Sequence, residues 1–235
     1  MSLRYIFFDL DGSLLPMDQD RFIEAYFSEI AGFMAPFGYD PKEFIRCIWK
    51  GIGAMLQNSG TDTNEAVFWD TMTQLLGEDA QKCQPILEEF YRSRFPKVQK
   101  ACGFDPLAAP TLEKLRQLGL IPVLATNPIF PAVATQNRIA WAGLRCEDFA
   151  LYTTYENSRY CKPNPAYYQE ILEKLGAKPE ECLMVGNDAT EDLAAEQLGI
   201  PVFLLTDCLI NKNQREIQEY PQGNLKDLLE YIQSL

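Results

Sequence analysis

Histidine is absent from all 235 residues of the chain. That absence excludes Ser-His-Asp hydrolysis, zinc sites built on imidazole and any imidazole general base. Chemistry here has to run on carboxylates, hydroxyls, amines or thiols. Positive charge is scarce as well: 21 Lys and Arg stand against 33 Asp and Glu, a net charge of −12. The resulting field disfavours nucleic acid and anionic membrane as partners. No apolar run approaches the ~18 residues of a membrane span, and the first residues lack a basic stretch leading into a long apolar one. A cytoplasmic protein is therefore expected. The seven cysteines include no C-x-x-C pair and no finger-like cluster, and their odd number fits buried reduced thiols. What the chain does have is apolar bulk. Its 47% hydrophobic content over this length suffices for one large domain, or a medium one carrying an insertion.

Four short apolar runs, residues 4–10, 121–127, 182–188 and 201–205, read as parallel strands buried on both faces, and the first three are closed by polar residues. Helical periodicity occupies residues 111–118, 130–142, 165–175 and 190–198, the last two followed by Gly176 and Gly199 as stops. Strand alternating with helix predicts an α/β protein with a Rossmann-like, doubly wound parallel sheet. Residues 18–96 contain no strand run, and aromatic and aliphatic residues such as Phe22, Ala25, Tyr26 and Ile30 recur there at helical spacing. This predicts an all-helical domain, 18–96, inserted after the first strand of a core made of residues 1–17 and 97–235. The Pro- and Gly-containing segment 95–110 marks its downstream edge.

Ligands of open parallel sheets bind beyond the carboxyl ends of the strands. The residues closing the runs there are Asp9, Asp11, Thr126, Asn127, Asn187 and Asp188. So many acids at one edge repel one another unless a cation holds them, which points to Mg²⁺ together with a phosphate. In Asp9-Leu10-Asp11, strand alternation turns both carboxylates to the same side. One can attack phosphorus while the other protonates the departing oxygen, with Asp9 as nucleophile and Asp11 as acid/base. A solvated Asp-Gly turn is the competing explanation. Thr126 and Asn127 are placed to hold nonbridging phosphate oxygens, or simply to cap the turn before Pro128. Lys162, just before a helix start at Asn164-Pro165, is placed to pair with Asp9 and phosphate, or to stand solvated on a turn. Asp188 and Asp192 lie at i, i+4, where like charges repel and a hard cation relieves them; helix capping explains one such acid more easily than Asp188, Glu191 and Asp192 together.

Taken in order, Phe7-Phe-Asp9-Leu-Asp11-Gly-Ser13, Leu124-Ala-Thr126-Asn127, Lys162-Pro163 and Val185-Gly-Asn-Asp188-Ala-Thr-Glu-Asp192 resemble the motifs of the haloacid dehalogenase superfamily of phosphohydrolases. The resemblance implies a core with a central first strand and phosphoryl transfer through Asp9. It also implies Mg²⁺ held by Asp9, the backbone carbonyl of Asp11 and an acid of the last motif; of those acids Asp188 is favoured here as the direct ligand, with Asp192 joined through water. The helical insertion resembles the family's C1 cap, which closes over the site and selects substrate. Two positions depart from the pattern. Ser13 stands where Thr is common, and Asn187 follows Gly186 where Asp is common, so the metal-binding acid lies between Asp188 and Asp192. The acid at Asp11 resembles phosphatases and phosphotransferases of the family rather than members that cleave carbon–halogen bonds.

The expected activity is therefore Mg²⁺-dependent hydrolysis of a small phosphorylated metabolite. The rivals are transfer of the phosphoryl group to a sugar hydroxyl, and a catalytically silent binding protein, which the presence of Asp9, Asp11 and Lys162 disfavours. Substrate choice is expected to reside in the cap. There Arg46, Lys50, Arg92 and Arg94 suit an anionic substrate portion and Trp49, Phe68 and Trp69 a planar one, while each also suits an ordinary surface or core role.

Overall fold

The computed structural model describes residues 3–235; residues 1 and 2, which the sequence reading assigned to the first core segment, lie outside the described residues. Five parallel strands form one sheet: β1 (Tyr5–Phe8), β2 (Ile121–Leu124), β3 (Cys182–Gly186), β4 (Val202–Leu205) and β5 (Gln222–Gly223), in the spatial order β2-β1-β3-β4-β5. The first strand is interior, with Phe7 level with Val123 on one side and Met184 on the other. The exact middle belongs to β3, because β4 and β5 extend the sheet on that side alone.

Strand alternation sorts the core into two layers. Tyr5 and Phe7 join Tyr167, Tyr168 and Ile171 of α7 (Pro165–Leu175) on one face. Ile6 and Phe8 join Leu112 and Leu115 of α5 (Ala108–Gln117) and Leu228 and Ile232 of α8 (Leu225–Ser234) on the other. Both faces of the sheet are thus covered, as a doubly wound α/β fold requires. Helix α7 begins and ends where its sequence signals stand: Asn164 caps the Ala166 N–H at 3.0 Å, Pro165 opens the first turn and Gly176 stops it.

Between β1 and β2 the chain builds α1 (Gln19–Met34), α2 (Pro41–Leu56), α3 (Asn64–Leu76) and α4 (Asp79–Glu89), then one π turn and 3₁₀ turns that reach Ala101, with no strand among these residues. Asp18, Asp40 and Thr63 cap the first three helices. The outgoing and returning chain run side by side: Met17 bridges Cys102, and the Gly103 N–H donates to Pro16 O at 2.7 Å. The helical segment packs against the face carrying Ile6 and Phe8. Phe95 stacks on Trp141 of α6 (Ala132–Trp141), with ring centroids 5.1 Å apart.

Several elements differ from expectation. Residues 190–198 are not an α-helix but a turn followed by a 3₁₀ helix, Leu193–Leu198. The backbone of this segment is engaged elsewhere. The Asp188 carboxylate takes the Thr190 and Glu191 N–H groups, and the Ala189 N–H donates to Ile210 O. Helix α6 starts at Ala132 rather than residue 130, directly after Pro131. Strand β5 and helix α8 complete the carboxyl-terminal part. No helix among the described residues is long and apolar enough to cross a membrane.

Candidate active site

Asp9 leaves the sheet directly after Phe8, held in line with β3 by its N–H donating to Val185 O at 2.9 Å. The chain then reverses, with the Gly12 N–H bonded to Leu15 O at 2.8 Å. Gly12 has φ +89°, and a Cβ there would overlap the Asn187 side-chain amide, so both backbone and space demand glycine. Asn187 explains its own departure from the family pattern. Its Oδ1 accepts from Ser13 Oγ at 2.8 Å and its Nδ2 donates to Cys208 O at 2.7 Å. It fastens the Asp9–Ser13 loop to the end of β3.

Lys162 is fully buried, and its Nζ lies 2.9 Å from Asp9 Oδ1 and 2.7 Å from Asp192 Oδ1. Burial acts to lower its pKa, but the attraction of Asp192 and Asp9 outweighs this, and the ammonium is held well above its ordinary range. Burial pushes the Asp9 carboxyl up, Asp192 and Asp11 push it further, and Lys162 opposes them. The second oxygen of Asp192 accepts the Asp188 N–H at 2.9 Å, and it fits because residue 186 is glycine; a Cβ there would collide with the Asp192 carboxylate. Asp188 turns one oxygen to the Thr190 and Glu191 N–H groups, and the other accepts no hydrogen bond from the described residues.

Thr126 and Asn127 follow β2. The Thr126 carbonyl is fixed by the Thr153 and Tyr167 hydroxyls at 2.6 and 2.9 Å, and Asn127 Nδ2 donates to Glu191 Oε1 at 3.0 Å. Glu191, which the sequence reading left out of the site, is half-buried. Burial pushes its carboxyl up to about 8, with Lys162 opposing and Asp192, Asp9 and Asp188 reinforcing. The second omission is Arg138 of α6. It is fully buried, lies 4.5 Å over the Phe130 ring, and donates to the carboxylate of Asp11 and to Thr135 Oγ1. Burial raises the Asp11 pKa, with Arg138 and Lys162 opposing. Glu191 was within reach of the sequence, being part of the last motif. Arg138 carried no signal, since nothing in a lone helical arginine reveals a partner 127 positions away.

Asp9, Asp11, Thr126, Asn127, Asp188 and Asp192 all line one cavity of about 180 Å³ at the carboxyl ends of the strands. Lys162 supports it through Asp9 and Asp192. Thus the residues assigned catalytic and metal-binding parts from the sequence are drawn to one place, whereas Arg46, Lys50, Phe68, Trp69, Arg92 and Arg94 do not line the cavity. The opposite wall comes from the helical insertion: Phe22, Ile23, Tyr26 and Phe27 of α1, and Trp49 and Ile52 of α2.

Five carboxylates, Asp9, Asp11, Asp188, Glu191 and Asp192, share this region with two cations, Lys162 and Arg138. Asp11 Oδ1 and Asn127 Oδ1 are buried without a hydrogen-bond partner. Surplus negative charge, together with the Asp188 oxygen that accepts no hydrogen bond, suits a hard divalent cation. Among the described residues no three Asp, Glu or Cys side chains converge as a metal cage. Mg²⁺ takes one or two carboxylates and fills the rest of its shell with water and phosphate oxygens.

A family model described as "Hydrolase: haloacid dehalogenase-like hydrolase" matches residues 3–199. A phosphoglycolate phosphatase from Vibrio vulnificus is 27% identical over 212 residues, covering 87% of this chain and 84% of that protein. Among solved structures, a 2-haloacid dehalogenase from Pseudomonas syringae pv. Tomato superposes with a TM-score of 0.65 at 18% identity over 99% of both chains. A HAD phosphatase from Thermococcus onnurineus does so with a TM-score of 0.60 at 21% identity over 98% of both. At these identities the two structures speak for the fold.

Proposed function

Because this chain belongs to the haloacid dehalogenase-like hydrolases, we propose that it is a Mg²⁺-dependent phosphatase acting on a small phosphomonoester through a phosphorylated Asp9. The observation that carries this reading is the joint placement of Asp9 and Asp11 on one cavity, with the Lys162 ammonium 2.9 Å from Asp9. Helices 18–96 act as the cap that closes the cavity and excludes water.

In the first step an Asp9 oxygen attacks phosphorus, and the departing alkoxide takes the proton of Asp11. The raised pKa of Asp11 favours the protonated form this step needs. In the second step Asp11 accepts a proton from water as that water attacks the phosphoaspartate. This releases inorganic phosphate and restores both carboxyls. Lys162 offsets charge at Asp9 and the incoming phosphate, and the Thr126 hydroxyl and Asn127 amide hold the nonbridging oxygens. The Asp9 carboxylate, the Asp11 backbone carbonyl and Asp188 would hold Mg²⁺, which would neutralise charge on the phosphate. Asp188 is preferred to Asp192 as the direct ligand because both Asp192 oxygens are already engaged. Asp11 also argues against carbon–halogen cleavage, in which the leaving halide requires no proton.

Phosphate release by the purified protein with Mg²⁺, lost in Asp9→Asn with unchanged circular dichroism, is the expected result. Equal release by that variant overturns the mechanism.

A further inference from the structure

The cavity wall facing the acids is mostly apolar, its polar groups being the uncharged Gln19 side chain and the Tyr26 hydroxyl. Phe22, Ile23 and Phe27 from α1, Trp49 and Ile52 from α2, and Ile129 line it, and no lysine or arginine does. The Tyr26 hydroxyl, the one phenol on this wall, is already paired with the Tyr91 hydroxyl at 2.8 Å. The cations of the helical segment point elsewhere. Arg46 binds Glu43 at 2.5 Å, Arg94 binds Glu29 at 2.6 Å, Arg92 lies 3.7 Å from Glu88, and Lys50 is exposed outside the cavity. A substrate carrying a second anionic group, such as 2-phosphoglycolate, would bring a carboxylate against this wall with no cation to meet it, an unfavourable burial.

From this wall we infer that the enzyme selects phosphomonoesters whose alcohol portion is uncharged, apolar and ring-sized. The inference rests on the phosphatase reading and names its substrate class. Trp49 sits half-exposed at the rim, its ring 5.0 Å from that of Phe27, so an incoming planar group meets an aromatic face on the way in.

The test compares kcat/KM of the Mg²⁺-loaded enzyme for benzyl phosphate, ethyl phosphate and 2-phosphoglycolate, all esters of alkyl alcohols. Benzyl phosphate is expected to exceed ethyl phosphate by ~10-fold or more, mainly through KM, with 2-phosphoglycolate below both. Trp49→Ala is expected to shrink the benzyl-to-ethyl ratio, and Ile52→Arg to raise 2-phosphoglycolate relative to benzyl phosphate. Turnover of 2-phosphoglycolate equal to or faster than that of benzyl phosphate overturns the substrate class and leaves the phosphatase reading standing. Absence of phosphate release from all three overturns the phosphatase reading and this inference with it.

Discussion

The guanidinium of Arg138, enclosed in α6, donates directly to the carboxylate of Asp11, whose other oxygen is buried without a partner. The proposed acid/base is therefore aimed by a cation that does not line the cavity. It is held at one oxygen and left free at the other, the arrangement a proton donor requires.

If Arg138 positions Asp11, its loss should matter most where proton donation matters most. Arg138→Met is expected to lower kcat for ethyl phosphate by ~100-fold and for p-nitrophenyl phosphate by far less, since nitrophenolate leaves without a proton. Arg138→Lys should recover part of the difference. Equal losses on both esters, tracking a fall in Tm, would assign Arg138 a purely structural part.

Removing Lys162 strands two acids. In Lys162→Met, Asp9 and Asp192 remain buried with their shared cation gone, an imbalance of about 3 kcal/mol or more, alongside loss of turnover. Chemical denaturation of the metal-free protein reads the stability, and an unchanged midpoint would contradict the pairing.

The division of labour between Asp188 and Asp192 is separable by metal titration. Mg²⁺ is expected to raise the Tm of the protein in proportion to the logarithm of its concentration. Asp188→Asn should abolish that shift while leaving the metal-free Tm nearly unchanged. Asp192→Asn should lower the metal-free Tm, since it anchors Lys162 and the Asp188 N–H. A reversed pattern would make Asp192 the ligand.

Glu191 gives a pH-dependent signature. Its carboxyl is raised from 4.5 to about 8, so the folded state binds a proton that the unfolded state has released, and stability from this group falls as pH rises between those values. Glu191→Gln removes the effect. In EDTA the variant is expected to gain little at pH 5 and progressively more up to pH 8, as measured by differential scanning calorimetry. A gain independent of pH would place the ionisation elsewhere.

How far the sequence discloses this molecule depends on whether a feature is local. The strands β1 to β4 announce themselves as apolar runs, and α7 is bounded by its own cap and stop, because those signals lie within a few residues of the element. Strand β5 is two residues, Gln222 and Gly223, paired only through backbone with β4, so it leaves no apolar trace. Helix α8 did carry a signal that went unread: Asn224 and Asp227 form a capping box before Leu225, Leu228 and Ile232. The acids of the site were visible because strand ends collect at one edge by topology. The Arg138–Asp11 contact and the choice between cationic and aromatic residues in the helical segment were not, since both depend on which helix face turns inward.

The pairing of Met17 with Cys102 and of Gly103 with Pro16 makes the helical segment a cassette, spliced into the sheet through a single doorway. Its two junctions are neighbours, so a different block of helices can be grafted between them without re-threading any strand. On the proposed function, taste for an alcohol and skill with phosphorus would be separately replaceable parts of one polypeptide.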